Sequence, residues 1–227
     1  MLYFRTKHRL HSVAMVRTRT HDDGCGIAHA SDLLGQRWAL LVVRELLLGP
    51  KRFTDLRTGI PDVSPNVLGQ RLRELERAGI LRRRRLAPPA AAQVYELTEW
   101  GRELEPAVLA LGAWASHSPS FPAGARMGAD SLVLAMKTTF QPEKAAGLQA
   151  RYELRLGEIP YEIRVTGGAF EAERGEGGDP VARIQTDPDS LASVVFGGRS
   201  LADAVKAGAV ELEGNRRAVN ALVRAIT

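Results

Sequence analysis

The sequence predicts a mainly α half followed by an α+β half, and three observations carry that division. Apolar residues recur at helical spacing through much of residues 27–114; the stretch SHSPSFPAGARMG, at 116–128, then shows no period; beyond it the period falls to two. At 227 residues the chain is long enough to bury two such cores.

In the first half a helix is expected from about Ile27 to Leu34, broken by Gly35, and a second from about Arg37 to Leu48, closed by Gly49–Pro50. Trp38, Leu41, Val42, Glu45 and Leu46 share one face of that second helix. Phe53, Leu56 and Ile60 fit a helix starting near Thr54 that is too short to stand without neighbours. Ser64 then acts as an N-cap with Pro65 at the first helical position. Leu68, Leu72 and Leu75 form the buried stripe of this helix, Ala78–Gly79 stops it, and Asn66, Gln70, Arg73 and Arg77 lie roughly opposite the stripe. Ile80–Leu86 and Gln93–Leu97 read as strands joined by the proline-stiffened loop APPAAA. Thr98 caps one long helix in which Leu104, Val108, Leu111 and Trp114 extend an apolar face, with Glu99, Glu103 and Glu105 near its positive end.

In the second half Leu148, Ala150, Tyr152, Leu154 and Leu156 alternate with polar residues, and Tyr161, Ile163 and Val165 repeat the pattern after a turn at Gly157–Pro160. Phe170–Arg174 and Ala182–Thr186 are further strands. Asp187–Pro188 opens a helix through Phe196, and Ser200 with Asp203 forms a capping box for another ending at Gly208. Val210 and Leu212 mark a last strand. Asn215–Ile226 closes the chain as a helix, with Ala218, Leu222, Val223 and Ile226 inward. A curved sheet with helices on one side follows from this order.

Charge is unevenly placed. Residues 1–118 hold 18 Lys and Arg against 12 Asp and Glu, whereas the remainder holds 13 against 14, so the first half is the candidate polyanion binder. Cys25 is the only cysteine, which excludes an intrachain disulfide and a cysteine-cluster metal site and implies a reducing, cytoplasmic setting. No apolar run reaches the roughly 18–20 residues that cross a bilayer, so no membrane partner is expected. Residues 1–21 lack helical punctuation and read either as a flexible arm or, with Met15 as initiator, as an over-long start. The expected layout is therefore an arm over 1–21, a DNA-binding and dimerisation domain over 22–118, a linker over 119–129 and an α+β domain over 130–227.

A short helix, a turn, a capped Arg-rich helix and a basic hairpin make a winged helix-turn-helix, whose natural target is double-stranded DNA. Asn, Gln and Arg carry the forked donors and acceptors that read base edges. Asn66, Val67, Gln70 and Arg71 are assigned to base edges or a thymine methyl, Ser64 and the first-turn amides to a phosphate, and Arg73 to either task. Strand alternation divides Arg82–Arg85 between two faces. Arg82 and Arg84 are assigned to phosphates or the minor groove, and the other two to solvent or to Glu96 or Glu99. Enzymatic chemistry is not expected: the five histidines fall mostly in the arm, first helix and linker, and there is no nucleophile elbow, Walker loop or zinc-ligand spacing. A protein-interaction module without DNA binding is the rival class, but it leaves the arginine hairpin without a purpose.

Residues 25–115 resemble the HxlR family of winged-helix regulators, relatives of the MarR group. The resemblance lies in Cys25, in LLGQRWALLVVRELLLGPKRFTDLRTGIPDVSPNVLGQRLRELERAGIL, and in VYELTEWGRELEPAVLALGAW. It implies a homodimer on a palindromic operator; no cofactor is expected, and a repressor is the simplest role because a dimer on promoter DNA most easily blocks polymerase. Ser64–Ala78 would be the recognition helix and Ile80–Leu97 the wing, while the N-terminal helix and Thr98–Trp114 would make the dimer contact. Some relatives sense oxidants or electrophiles through an N-terminal cysteine, and Cys25 holds that position. His21, His29 and the nearby helix start would favour a reactive thiol, Asp22 and Asp23 would oppose it, and an inert side chain is the alternative. Residues 130–226 resemble the sterol-carrier-like fold, chiefly in ARIQTDPDSLASVVFGGRSLADAVKAGAVELEGNRRAVNAL. That resemblance implies a cavity for a small hydrophobic ligand, lined by Phe140, Tyr152, Tyr161, Phe170, Leu191, Val195 and Phe196, residues that would equally serve as ordinary core.

Overall fold

The computed structural model describes residues 21–88, 91–122 and 124–227, so the arm expected over 1–21, Met15 included, lies outside the described residues apart from His21. The described residues fall into two compact units, one ending at Arg37 and the other running from Trp38 to Thr227. In the first, helix α1 spans Gly26–Leu34 with Cys25 at its N-cap, and His21 is tied to Asp32 through both its backbone amide and its ring, Nδ1 lying 2.6 Å from the carboxylate.

The second unit begins with α2 (Ala39–Leu47), α3 (Phe53–Gly59) and α4 (Pro65–Arg77). Helix α3 is held as its length requires. Asp55 accepts from the Arg52 amide at its start, and Leu56 and Ile60 are buried. Ser64 accepts from the Val67 amide at 3.3 Å with Pro65 at the first helical position, and Leu68, Leu72 and Leu75 are buried, as their spacing predicts. Strands β1 (Leu81–Arg85) and β2 (Gln93–Leu97) pair antiparallel from Leu81–Leu97 to Arg85–Gln93. The turn after α2 adds a third strand-like contact, because Lys51 and Tyr95 exchange two backbone hydrogen bonds of 3.0 and 2.8 Å.

The single helix expected from Thr98 is in fact two, α5 (Glu99–Arg102) and α6 (Glu105–Ser116). Pro106 explains the break. It has no N–H to give Arg102 and its ring would crowd that carbonyl, so the helix restarts with the proline in its first turn. Gly101 lets α5 approach the wing: a Cβ there would lie 2.0 Å from the Ile80 carbonyl oxygen, and the Thr98 hydroxyl joins the same contact by donating to the Gly79 carbonyl at 2.7 Å.

The α+β region comprises α7 (Ala129–Thr139), β3 (Ala150–Leu156), β4 (Ile159–Thr166), β5 (Ala169–Arg174), β6 (Ala182–Thr186), α8 (Pro188–Val195), α9 (Leu201–Lys206), β7 (Val210–Gly214) and α10 (Arg216–Ile226). Its five strands run in the order β5-β4-β3-β6-β7, with β3 and β6 parallel and the other neighbours antiparallel. Alternation sends Tyr152, Leu154, Tyr161, Ile163 and Ile184 into the core. The opposite face carries crossing ion pairs such as Arg151–Glu162 and Arg183–Glu153. Helix α7 has no counterpart in the sequence reading. Asp130, Leu132, Val133, Leu134 and Met136 are all buried, so it presents no polar face and no stripe. Leu48, at the end of α2, belongs to the same buried cluster as Leu132, Tyr161 and Phe170, and its carbonyl accepts from the Arg174 amide at 2.7 Å.

Candidate nucleic-acid interface

The leucine stripe of α4 fixes which side of the helix faces outward. Asn66, Gln70, Arg73 and Arg77 are exposed and Val67 is half-buried, while Gln70 donates to Glu74 at 2.9 Å. Arg71 departs from the expectation that it meets base edges. It lies three residues after Leu68 and four before Leu75, hence on the same stripe, and it is buried in an ion pair with Glu74. The face open to a groove is therefore built from Asn66, Gln70 and Arg73, with Ser64 committed to capping.

All four wing arginines are exposed. Arg82 and Arg84 each donate from Nε to Glu96 at 2.8 Å across the hairpin, and Arg83 donates from Nε to Glu76 at 2.9 Å. It is thus the pair assigned to DNA that meets Glu96. Each guanidinium is held through Nε, and no hydrogen bond from its outer nitrogens is found among the described residues. Burial pushes the Glu96 carboxyl up, but the hydrogen bonds from Arg82 and Arg84 outweigh it and hold the pKa below the ordinary carboxylate value. The result is a wing with fixed arginines above a buried anion.

Cys25 is exposed at the start of α1. The backbone amides of Ala28 and Ile27 face its sulfur and lower the thiol pKa. His21, a candidate helper in sequence, is engaged by Asp32 instead.

The residues assigned to an apolar ligand occupy different surroundings from one another. Tyr152, Tyr161, Phe170, Leu191 and Val195 are buried, and Phe140 packs on Phe170 with ring centroids 5.4 Å apart. Tyr152 donates to the Ala218 carbonyl at 3.0 Å, and burial pushes its phenol up to about 12. Phe196 is 42% exposed and, alone of the seven, borders a cavity of about 840 Å³.

A buried ionic cluster was not legible beforehand. Lys51 pairs with both Glu45 and Asp130, Arg174 also pairs with Asp130, and Tyr161 donates to Asp130 at 2.5 Å. Arg44 completes the group, donating to Glu45 at 2.8 Å and to the Gly59 carbonyl at 3.0 Å. Burial would raise the Asp130 carboxyl, yet Arg174 and Lys51 hold its pKa below the ordinary value. The signal available in sequence was Glu45 within an apolar stripe, a carboxylate that must find partners.

Residues 33–120 match the model of the HxlR-like helix-turn-helix family. The uncharacterized HTH-type transcriptional regulator YvaP of Bacillus subtilis (strain 168) is 36% identical over 94 residues, covering 40% of this chain and 87% of the relative. The chain belongs to the HxlR-like helix-turn-helix family. The HTH-type transcriptional regulator YodB of the same organism is 40% identical over 88 residues, 39% of this chain and 79% of its own length. Among solved structures, the redox regulator HypR in its oxidized form is 33% identical and covers 41% of this chain and 97% of its own, with a TM-score of 0.39. In this HxlR-like regulator the matched residues take in the exposed α4 face and the wing and end before α7. Among the described residues no group of three or more His, Cys, Asp or Glu is placed to hold a metal, and no helix is long and apolar enough to cross a membrane.

Proposed function

We propose that this HxlR-like regulator is a cytoplasmic repressor that binds a palindromic operator as a homodimer and is controlled by an apolar effector. The observation that carries the DNA-binding part is the outward face of α4 beside the arginine wing, since Asn66, Gln70 and Arg73 offer base-reading groups and Arg82 and Arg84 offer phosphate contacts. Support for a dimer comes from α6. It has no buried residue although most of its side chains are apolar, and Trp114 and Leu111 are 77% and 48% exposed. A second copy covering α6 would pair two recognition helices. Selection of bound fragments from random duplex DNA at fixed salt is expected to yield a palindrome whose half-sites lie about one helical turn apart. Recovery of unrelated sequences, or of a single half-site, overturns the reading.

The domains are proposed to divide the work, with 22–118 binding DNA and dimerising, 119–129 connecting, and 130–227 serving as a sterol-carrier-like effector domain. The order that supports the last assignment is β6, α8, the Gly197–Gly198 break, α9, β7 and α10.

A second mode of control is favoured by one specific observation, the exposed Cys25 thiol with its lowered pKa. A lowered pKa favours the thiolate, the form of the sulfur that attacks oxidants and electrophiles. Mild peroxide or quinone treatment is expected to release the operator from the wild-type protein and to leave Cys25→Ser bound, as read by fluorescence anisotropy. Equal release of both proteins would remove the thiol from the mechanism.

A further inference from the structure

We propose that the cavity bounded by α2, α6 and α7 is a binding site for an amphipathic carboxylic acid, a molecule with an aliphatic or aromatic body and one carboxylate held by Arg44. This rests on the reading of the chain as an effector-controlled regulator and places the effector outside the interior of the α+β fold. That interior is occupied by its own side chains, for Tyr152, Tyr161 and Phe170 are buried in contact with the surrounding core. The cavity of about 840 Å³ lies instead where the loop through Phe121 and Met127 passes over Leu41 of α2, Leu109 of α6 and Leu134 of α7, with Phe196 at its rim. Its size falls within the range of about 300–1,000 Å³ typical of small-molecule sites.

The walls specify an apolar body. Three of the hydroxyls on them are spent on their own helices, with Ser116 donating to Ala113, Thr138 to Leu134 and Thr139 to Ala135. Arg44 is the charged wall residue that belongs to the buried ionic cluster. That cluster contains three cations, Arg44, Lys51 and Arg174, and two carboxylates, Glu45 and Asp130. It therefore carries one uncompensated positive charge in a site largely closed to water, where an anion is worth more than at an open surface. Nε and Nη2 of Arg44 are taken by Glu45 and the Gly59 carbonyl, and its Nη1 makes no hydrogen bond among the described residues. A ligand carboxylate at Nη1 would balance the cluster. It would also bear on the pairs Glu45–Lys51 and Lys51–Asp130, and through Lys51 on the backbone bridge to Tyr95 in the wing.

The test uses the full-length protein and displacement of the fluorescent anion 8-anilinonaphthalene-1-sulfonate by dodecanoate and by dodecanol. Dodecanoate is expected to displace the probe at concentrations about ten-fold or more below dodecanol, the discrimination a charge-assisted hydrogen bond supplies. Arg44→Gln is expected to abolish that preference. Ala135→Phe, which fills the cavity from α7, is expected to weaken both ligands about ten-fold or more. Gly112→Leu offers a second filling variant, because the space beyond its Cα is open. Equal potency of acid and alcohol on the wild type, or displacement unchanged by both filling variants, overturns the proposal. Operator binding is read separately by anisotropy on the same preparations. Loss of ligand binding with intact operator binding in Ala135→Phe supports the site, whereas a protein that binds dodecanoate as expected but no DNA sinks the regulator reading and leaves the site standing.

Discussion

Asp130→Ala is expected to destabilise the second unit by about 3–5 kcal/mol, the cost of removing one partner from a buried ion pair. The carboxylate receives Lys51, Arg174 and the Tyr161 hydroxyl together, so its loss strips Arg174 of its carboxylate partner and leaves Lys51 with Glu45 alone. Urea unfolding followed by circular dichroism at pH 7 measures the effect. A loss below about 1 kcal/mol would show that the cluster relaxes or hydrates without this residue. The acid limb supplies an independent check. The folded-state pKa of Asp130 is depressed below an unfolded value of about 3.9. Its contribution is therefore complete above that value and is lost as the pH falls through the lower folded value, so the gap between wild type and Asp130→Ala narrows in acid.

The position of this cluster matters as much as its strength. Lys51 sends its side chain to Asp130 of α7 and its backbone to Tyr95 of the wing, and Arg174 of β5 donates to the Pro50 carbonyl in the turn that precedes α3. Gly59 closes the packing from the far side, since a Cβ there would lie 1.9 Å from a Glu45 carboxylate oxygen. The α+β region therefore grips the turn that aims α3 and the wing. Contacts run from Asp130 of α7 through Lys51 to the backbone bridge with Tyr95 in the wing.

The DNA-binding elements were legible because each is specified locally. Ser64–Pro65, the leucine spacing of α4 and the arginine run of β1 signal their structure within a few residues. The same locality misplaced Arg71, whose neighbour Gln70 is exposed: one residue of rotation decides between the two, and polarity alone does not reveal that an arginine lies along the stripe. Pro106 is visible in the sequence, and its missing N–H demands the restart that a single long helix leaves out. What the sequence could not show depends on distant pairing. Asp130 meets Lys51 across 79 positions, α7 hides its helical period by being buried on most sides, and the cavity exists only where α2, α6 and α7 converge. The candidate lining residues are apolar and aromatic, a composition that a filled core shares with a pocket.

Substitutions on α4 and the wing are expected to separate three roles that one helix and one hairpin carry side by side. If its amide reads a base edge, as proposed, Gln70→Ala should cost about 1–3 kcal/mol on the selected operator and relax preference at one base pair. Arg84→Ala should weaken all duplexes nearly alike and lower the slope of log affinity against log salt by about one, the signature of one lost phosphate contact. Glu96 sharpens this expectation, for it orients Arg84 through Nε and remains engaged by Arg82 when Arg84 is removed, so the hairpin stays folded. Arg71→Ala should do neither. Buried beside Glu74, it should lower unfolding stability while the folded protein keeps both its base preference and its salt slope. Titrations of each variant at three salt concentrations against the operator and a scrambled duplex measure all three. A loss of base preference in Arg71→Ala, or identical losses for Gln70→Ala on both duplexes, would mean that α4 enters the groove rotated from the face defined here by Leu68, Leu72 and Leu75.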